Sequence, residues 1–214
     1  MMIRCAVLFV GAALVFCAGT ARAAVTEYRG RFDVQAPVEK NLNLSILTEM
    51  RSLNNLHTHN ESHFDVGLDY KPNKWLSLRP AYRHVTEESK SVWRVEHRPS
   101  FDMTFSWSLW ALRLSNRNRL EYRMLEASEF FRYRFRLQAG AQPAEAKWLA
   151  AYISEEPFYD FSAGEINKNR VTVGFDVKVL GTIRLGFNYV VDNKKSGDTW
   201  TAVHAPTLVV KYRQ

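Results

Sequence analysis

The chain has 214 residues, with 29 Lys and Arg against 22 Asp and Glu, a formal net charge of +7 and 13% aromatic residues. After the first two dozen residues no stretch approaches the roughly 18 uninterrupted apolar residues of a membrane-spanning helix. A mild basic excess is compatible with a nucleic-acid binder, but the N-terminus argues against that partner because it reads as an export signal.

Arg4 supplies positive charge, CAVLFVGAALVFCAG is a short apolar run, and Ala21-Arg22-Ala23 offers a small-x-small cleavage site. The run is too short and wrongly flanked for a transmembrane helix, and Phe16 before Cys17 disfavours a lipoprotein signal. Removal of residues 1–23 takes away Cys5 and Cys17, so residues 24–214 carry no disulfide framework and no thiol chemistry. It also takes away Arg4 and Arg22, lowering the formal charge to about +5. What remains is enough for one domain.

From there the dominant period is two. About ten alternating runs follow, bounded by turn residues, at 41–51, 62–71, 75–85, 91–104, 109–124, 130–140, 147–156, 169–179, 182–192 and 199–212. The first closes with Glu49 and Arg51 on one parity. The loop after it holds His57 and His59, with His63 just beyond, a spacing open to Zn, Cu or Ni, although a solvated loop is the commoner meaning of such a set. HFDVGLDY then sets Phe64, Val66, Leu68 and Tyr70 against His63, Asp65, Gly67 and Asp69. The fourth run places Arg94, Glu96 and Arg98 on one parity, the fifth Arg117, Arg119, Glu121 and Arg123, and the sixth Arg132, Arg134 and Arg136. Glu156 ends the seventh run, Arg170 opens the eighth and Arg184 lies in the ninth.

Most runs are near ten residues. At about 3.3 Å per residue and a tilt near 45°, ten residues climb roughly 23 Å, close to the apolar band of an outer membrane. The runs therefore predict an all-β fold: an antiparallel transmembrane β-barrel of about ten strands, within a range of eight to twelve. Only a helix or a closed barrel satisfies every backbone group in hydrocarbon. With the N-terminus in the periplasm, the long or polar connections fall mostly outside.

Alternation does not say which face is inward, and a soluble ligand-carrying barrel would turn its apolar face in. Three features favour the opposite. Arg occupies strand positions whereas Lys sits mostly in turns and loops, and a crowded polar interior prefers the planar, bidentate guanidinium. Carboxylates share the Arg parity, Glu49 with Arg51, Glu96 with Arg94 and Arg98, and Glu121 with Arg119 and Arg123, so that such charges can pair across neighbouring strands. Finally, Tyr70, Trp75, Trp107, Trp110, Trp148, Tyr152, Trp200 and Tyr212 fall near strand ends, as interfacial girdles would.

The ordered elements RVEHRPSF, LSNRNRLEYR, FRYRFRL, EEPFYD and NKNRVTVGFD resemble the bacterial envelope family DUF2490 across about residues 26–213. The resemblance implies an outer-membrane-type barrel and no particular activity. Its lumen set would be Glu96, Arg98, Arg117, Arg119, Glu121, Arg123, Arg132, Arg134, Glu156 and Arg170, with Asn169 a further candidate. The chain closes on KYRQ, with Tyr212 two residues early for the usual aromatic end recognised by the barrel-assembly machinery.

No catalytic constellation emerges. There is no His-x-Ser pair; His84-x-Thr86 is the nearest spacing, and His97 lies on the apolar parity with Val95 and Phe101. No cofactor is implied. The expectation is a non-enzymatic barrel with an Arg/Glu-lined, largely filled lumen, acting structurally or as a narrow anion-selective pore or binding site. An outer-membrane lipid hydrolase using His97 or His84 and a soluble periplasmic barrel are the alternatives. The expected surroundings are outer-membrane lipid and lipopolysaccharide, the latter met by Lys90, Lys194 and Lys195.

Overall fold

A computed structural model describes residues 25–54, 59–89, 91–143 and 145–214. The expected export signal, His57 and Lys90 lie outside the described residues. Eleven strands form one closed barrel. They are β1 Val25–Glu39, β2 Leu42–Leu53, β3 His59–Tyr70, β4 Leu76–Ser89, β5 Val92–Leu109, β6 Leu112–Leu125, β7 Ser128–Ala141, β8 Leu149–Asp160, β9 Glu165–Leu180, β10 Ile183–Ser196 and β11 Thr199–Arg213.

The ten sequence-predicted runs are β2 to β11. The strand not anticipated is β1, whose alternation is clear in retrospect: Tyr28, Phe32 and Val34 against Glu27, Arg29, Arg31 and Asp33. Gly30 interrupts its apolar parity, and Pro37 sits at a register shift near its end. The 104–109 segment, expected as a turn, continues β5 to Leu109, and the chain reverses at Trp110 and Ala111.

Each strand pairs with its sequence neighbours in antiparallel fashion, and the barrel closes by a parallel pairing of β1 with β11, from Val25 opposite Val203 to Gln35 opposite Arg213. An odd strand count forces that parallel seam. It also moves the start of the barrel to the mouth opposite the one expected. Val25 shares its mouth with the β2–β3, β4–β5, β6–β7, β8–β9 and β10–β11 connections, here the N-terminal mouth. The other connections and the end of β11 form the C-terminal mouth.

The faces are assigned by burial. Phe32, Phe64, Leu68, Phe101, Leu120, Phe131, Phe175, Phe187 and Leu208 are exposed, whereas Glu27, Glu49, Asp65, Glu96, Arg119, Glu121, Arg134, Glu156 and Asp192 are buried. Apolar side chains thus point outward and charged ones inward, the reverse of a soluble ligand-carrying barrel. Of the expected girdle residues, Tyr70, Trp75, Trp107, Trp110 and Trp148 are exposed at the C-terminal mouth and Trp200 at the other. Trp75, Phe105 and Trp107 stack in sequence, with centroids 6.0 and 6.2 Å apart. Trp110 is 90% exposed and takes φ 52°, a left-handed conformation bulky residues rarely adopt. Tyr152 is the exception: it faces the lumen, where its hydroxyl donates to Asn188 Oδ1 at 2.7 Å.

Candidate functional site

The lumen is built from every second residue of each strand and divides into two zones along its length. Toward the N-terminal mouth, ion pairs fill it. Glu121 accepts from Arg132 Nη2 and Arg134 Nη1, both at 2.6 Å, and more weakly from Arg119 Nη1 at 3.4 Å. Glu96 takes Arg98 Nε at 2.6 Å and Arg123 Nη2 at 2.7 Å. Arg51 donates to Glu49 at 2.7 Å and to Glu61 at 2.6 Å. Asp192 gathers Arg29 and Arg170, each at 2.6 Å, with Lys168 Nζ at 3.1 Å. At the centre of these cations stands Phe158, buried, with Arg132, Arg134, Lys168 and Arg170 at 5.2, 4.4, 5.1 and 5.7 Å from its ring centroid. Cations over a desolvated ring are favoured by its quadrupole, so Phe158 serves as an apolar post that the basic side chains can surround.

Toward the C-terminal mouth the lumen opens into a cavity of about 370 Å³. Glu96, Glu121, Arg132, Phe158 and Asp192 lie outside its lining, so the packed layer is its floor. Ten arginines and Lys211 line it against six carboxylates: Asp33, Glu49, Asp65, Asp69, Asp102 and Glu156. Asp102 takes Arg119 Nη2 at 2.5 Å, and Asp65 takes Arg79 and Arg83. Glu156 Oε1 alone receives Arg117 Nη2 at 2.5 Å and Arg134 Nε at 3.0 Å. A second recess at this mouth, about 480 Å³, is lined by Arg113, Lys147, Lys178, Arg184, Gln142, Pro143 and Trp148.

Most of the sequence-predicted lumen set is brought together: Glu49, Arg51, Glu96, Arg98, Arg117, Arg119, Glu121, Arg123, Arg132, Arg134, Arg136, Glu156 and Arg170 all face inward. Two members sit apart. Arg94 is exposed near the N-terminal mouth and forms no ion pair among the described residues. Arg184 lies at the opposite mouth, facing Lys178 across the β9–β10 pairing. Arg123 reaches across to Glu96 on the neighbouring β5, and Glu121 on its own strand takes Arg132 and Arg134 from β7. Asn169 faces out, donating to Glu155 at 3.0 Å.

Of the candidate metal set, the described members His59 and His63 are not brought together. His59 stacks on Trp93 and meets Ser62 on the outer face, while His63 is buried in the lumen beside Glu61. Among the described residues no group of three His, Cys, Asp or Glu is arranged to hold a metal ion. His97 lies on the outer wall, where its Nδ1 is 2.5 Å from the Tyr82 hydroxyl and its ring is 5.3 Å from His84. Neither contact supplies a nucleophile of the Ser–His kind.

The missed lumen residues are mainly Glu27, Arg29, Arg31 and Asp33, on the unanticipated strand, and Asp65, Asp69, Asp102, Asp192, Phe158 and Lys211. Asp102 and Asp192 share the parity of an arginine on their own strand, and Asp65 and Asp69 alternate against Phe64, Val66 and Leu68, which was the available signal.

The profile described as "Protein of unknown function (DUF2490)" matches residues 30–203. The chain belongs to the DUF2490 family. No curated protein matches the sequence. Among solved structures, the barrel is similar to the NanC porin, with a TM-score of 0.53 and 10% identity, over 88% of this chain and 99% of that one. An anion-selective porin from Comamonas acidovorans aligns with a TM-score of 0.42 and 11% identity, over 81% of this chain. This chain spans 54% of that porin's length. At such identity the likeness to the NanC porin is one of fold, which makes this DUF2490 member a porin-like closed barrel.

Proposed function

We propose that this DUF2490 protein is a bacterial outer-membrane barrel, non-enzymatic, whose lumen is a narrow anion-selective site. The observation that carries the reading is the cavity lining, in which cations outnumber carboxylates eleven to six. A low-dielectric wall strengthens the attraction of such a surplus for anions. The packed ion-pair layer that floors the cavity keeps conductance small. Membrane residence is supported by the exposed apolar outer wall, the Trp cluster at one mouth and the N-terminal export signal. Lys194, exposed at the β10–β11 end, would be drawn to lipid phosphates by simple electrostatics, whereas Lys195 there pairs with Glu165.

Two measurements test this. In cell fractionation the protein is expected with the outer membrane, migrating faster on a gel before boiling than after. Recovery as a soluble periplasmic protein would overturn membrane residence. In planar bilayers under a salt gradient, a small current with a reversal potential on the anion side is expected, and Arg136→Glu should abolish the anion preference. Absence of both current and anion binding would remove the anion-selective reading.

A further inference from the structure

Arg117 and Arg136 stand directly opposite each other across the β6–β7 pairing, and both line the cavity. Like charges placed directly opposite on a sheet repel and need a counter-charge. The protein supplies little. Glu156 serves Arg117 through one oxygen that it shares with Arg134. Arg136 forms no ion pair among the described residues. The Nε–H groups of both Arg117 and Arg136 are buried with no acceptor. A buried donor left unmatched is costly, more so when it is charged. Two such donors on facing guanidinium groups, in a cavity open toward one mouth, call for an acceptor that arrives from solution. The planar fork of Arg fits a group with two or more oxygens better than a spherical halide.

We propose that Arg117 and Arg136 form a subsite for a small oxyanion, a phosphoryl or carboxylate group, in the cavity, on the C-terminal-mouth side of the Arg119 and Arg134 pair. This deepens the anion-selective reading by naming its ligand chemistry and its residues. The bound group takes the two Nε–H donors and supplies the counter-charge that Glu156 only partly provides. Arg31, whose Nε is also buried without an acceptor, lines the same cavity from β1 and adds to the field there. Tyr152, against whose ring Lys211 Nζ lies at 5.7 Å, borders the approach from the C-terminal mouth.

The test is calorimetry on the full mature chain folded in detergent, titrated with inorganic phosphate and separately with acetate. Saturable binding of at least one is expected; tighter phosphate binding assigns phosphoryl groups, and tighter acetate binding assigns carboxylates. Arg117→Gln and Arg136→Gln should each weaken binding at least tenfold. Arg136→Lys, which keeps the charge but loses the fork, should weaken it while leaving chloride selectivity in bilayers intact, and it carries the test if the Gln variant does not fold. Lys74→Gln, an exposed charge at the same mouth, should change nothing. No saturable binding of either oxyanion, or equal weakening by Lys74→Gln, would overturn the subsite. An anion-selective current without oxyanion saturation would remove the subsite and leave the functional reading. Saturable, Arg136-dependent binding without current would keep the subsite and remove the pore.

Discussion

Replacing Glu121 with alanine is expected to destabilise the barrel by about 3–5 kcal/mol, the cost of breaking a buried ion pair by removing one partner. Glu121 is 1% exposed, and its carboxylate receives Arg119, Arg132 and Arg134 from two strands. Without it, Arg132 loses the one ion-pair partner it has among the described residues, while Arg119 keeps Asp102 and Arg134 keeps Glu156. Asp192 is comparable. It is fully buried and ties Arg29 on β1 to Arg170 on β9, spanning the parallel seam where the barrel closes. Glu39→Ala, an exposed carboxylate at the C-terminal mouth, should shift stability by less than about 0.5 kcal/mol. Urea unfolding in lipid, followed by loss of the fast-migrating band, measures all three. If Glu121→Ala and Glu39→Ala were equivalent, the packed ion-pair layer would not be what fills and stiffens this half of the lumen. Glu121→Ala combined with Arg132→Ala should recover part of the loss, because the second change removes the stranded charge.

Much of this layer was legible because a strand's period of two puts like side chains on one face wherever the strand sits. Glu49 with Arg51 and Glu96 with Arg98 are pairs two residues apart, and the sequence spacing already implies them. Partners between strands were not legible in the same way. They depend on how far each strand slides past the next, and no local signal sets that slide. Arg123 shows it: the sequence puts Glu121 within reach, whereas the stagger of β5 against β6 delivers Glu96. Tyr152 was misplaced for a related reason. An aromatic near a strand end suits a girdle, yet its even parity on β8, shared with Ser154 and Glu156, turns it inward beside the glycine at 174. A Cβ at Gly174 would come within 2.9 Å of the Tyr152 ring, so the small residue there makes room for it. His59 and His63 sit four apart in sequence, but a register shift between Arg51 and Ser52 near the top of β2 accompanies their separation onto opposite faces. The unpartnered charge of Arg136 could not be read at all without knowing that Arg117 lies opposite it.

Leu120→Arg tests whether the outer wall meets lipid. Leu120 is next to the buried Arg119, points outward, is 45% exposed, and lies opposite Phe101 on β5 and Tyr133 on β7, near the middle of the wall. In a bilayer its replacement by arginine is expected to cost about 2–4 kcal/mol, the penalty for a cation near the hydrocarbon midplane. If the outer wall faced water, the same change at an exposed position would stay within about 0.5 kcal/mol. The two outcomes differ by more than the error of an unfolding titration in lipid vesicles, so the variant separates them cleanly. Ser108→Arg supplies the control for the inward face, since it lies near the C-terminal mouth on the inward parity of β5, opposite Arg113. A large cost at Leu120 with a small one at Ser108 would place the wall in the membrane and the charged face around an aqueous lumen. A near-zero cost at Leu120 would leave the exposed aromatic and aliphatic wall in need of a protein partner in place of lipid.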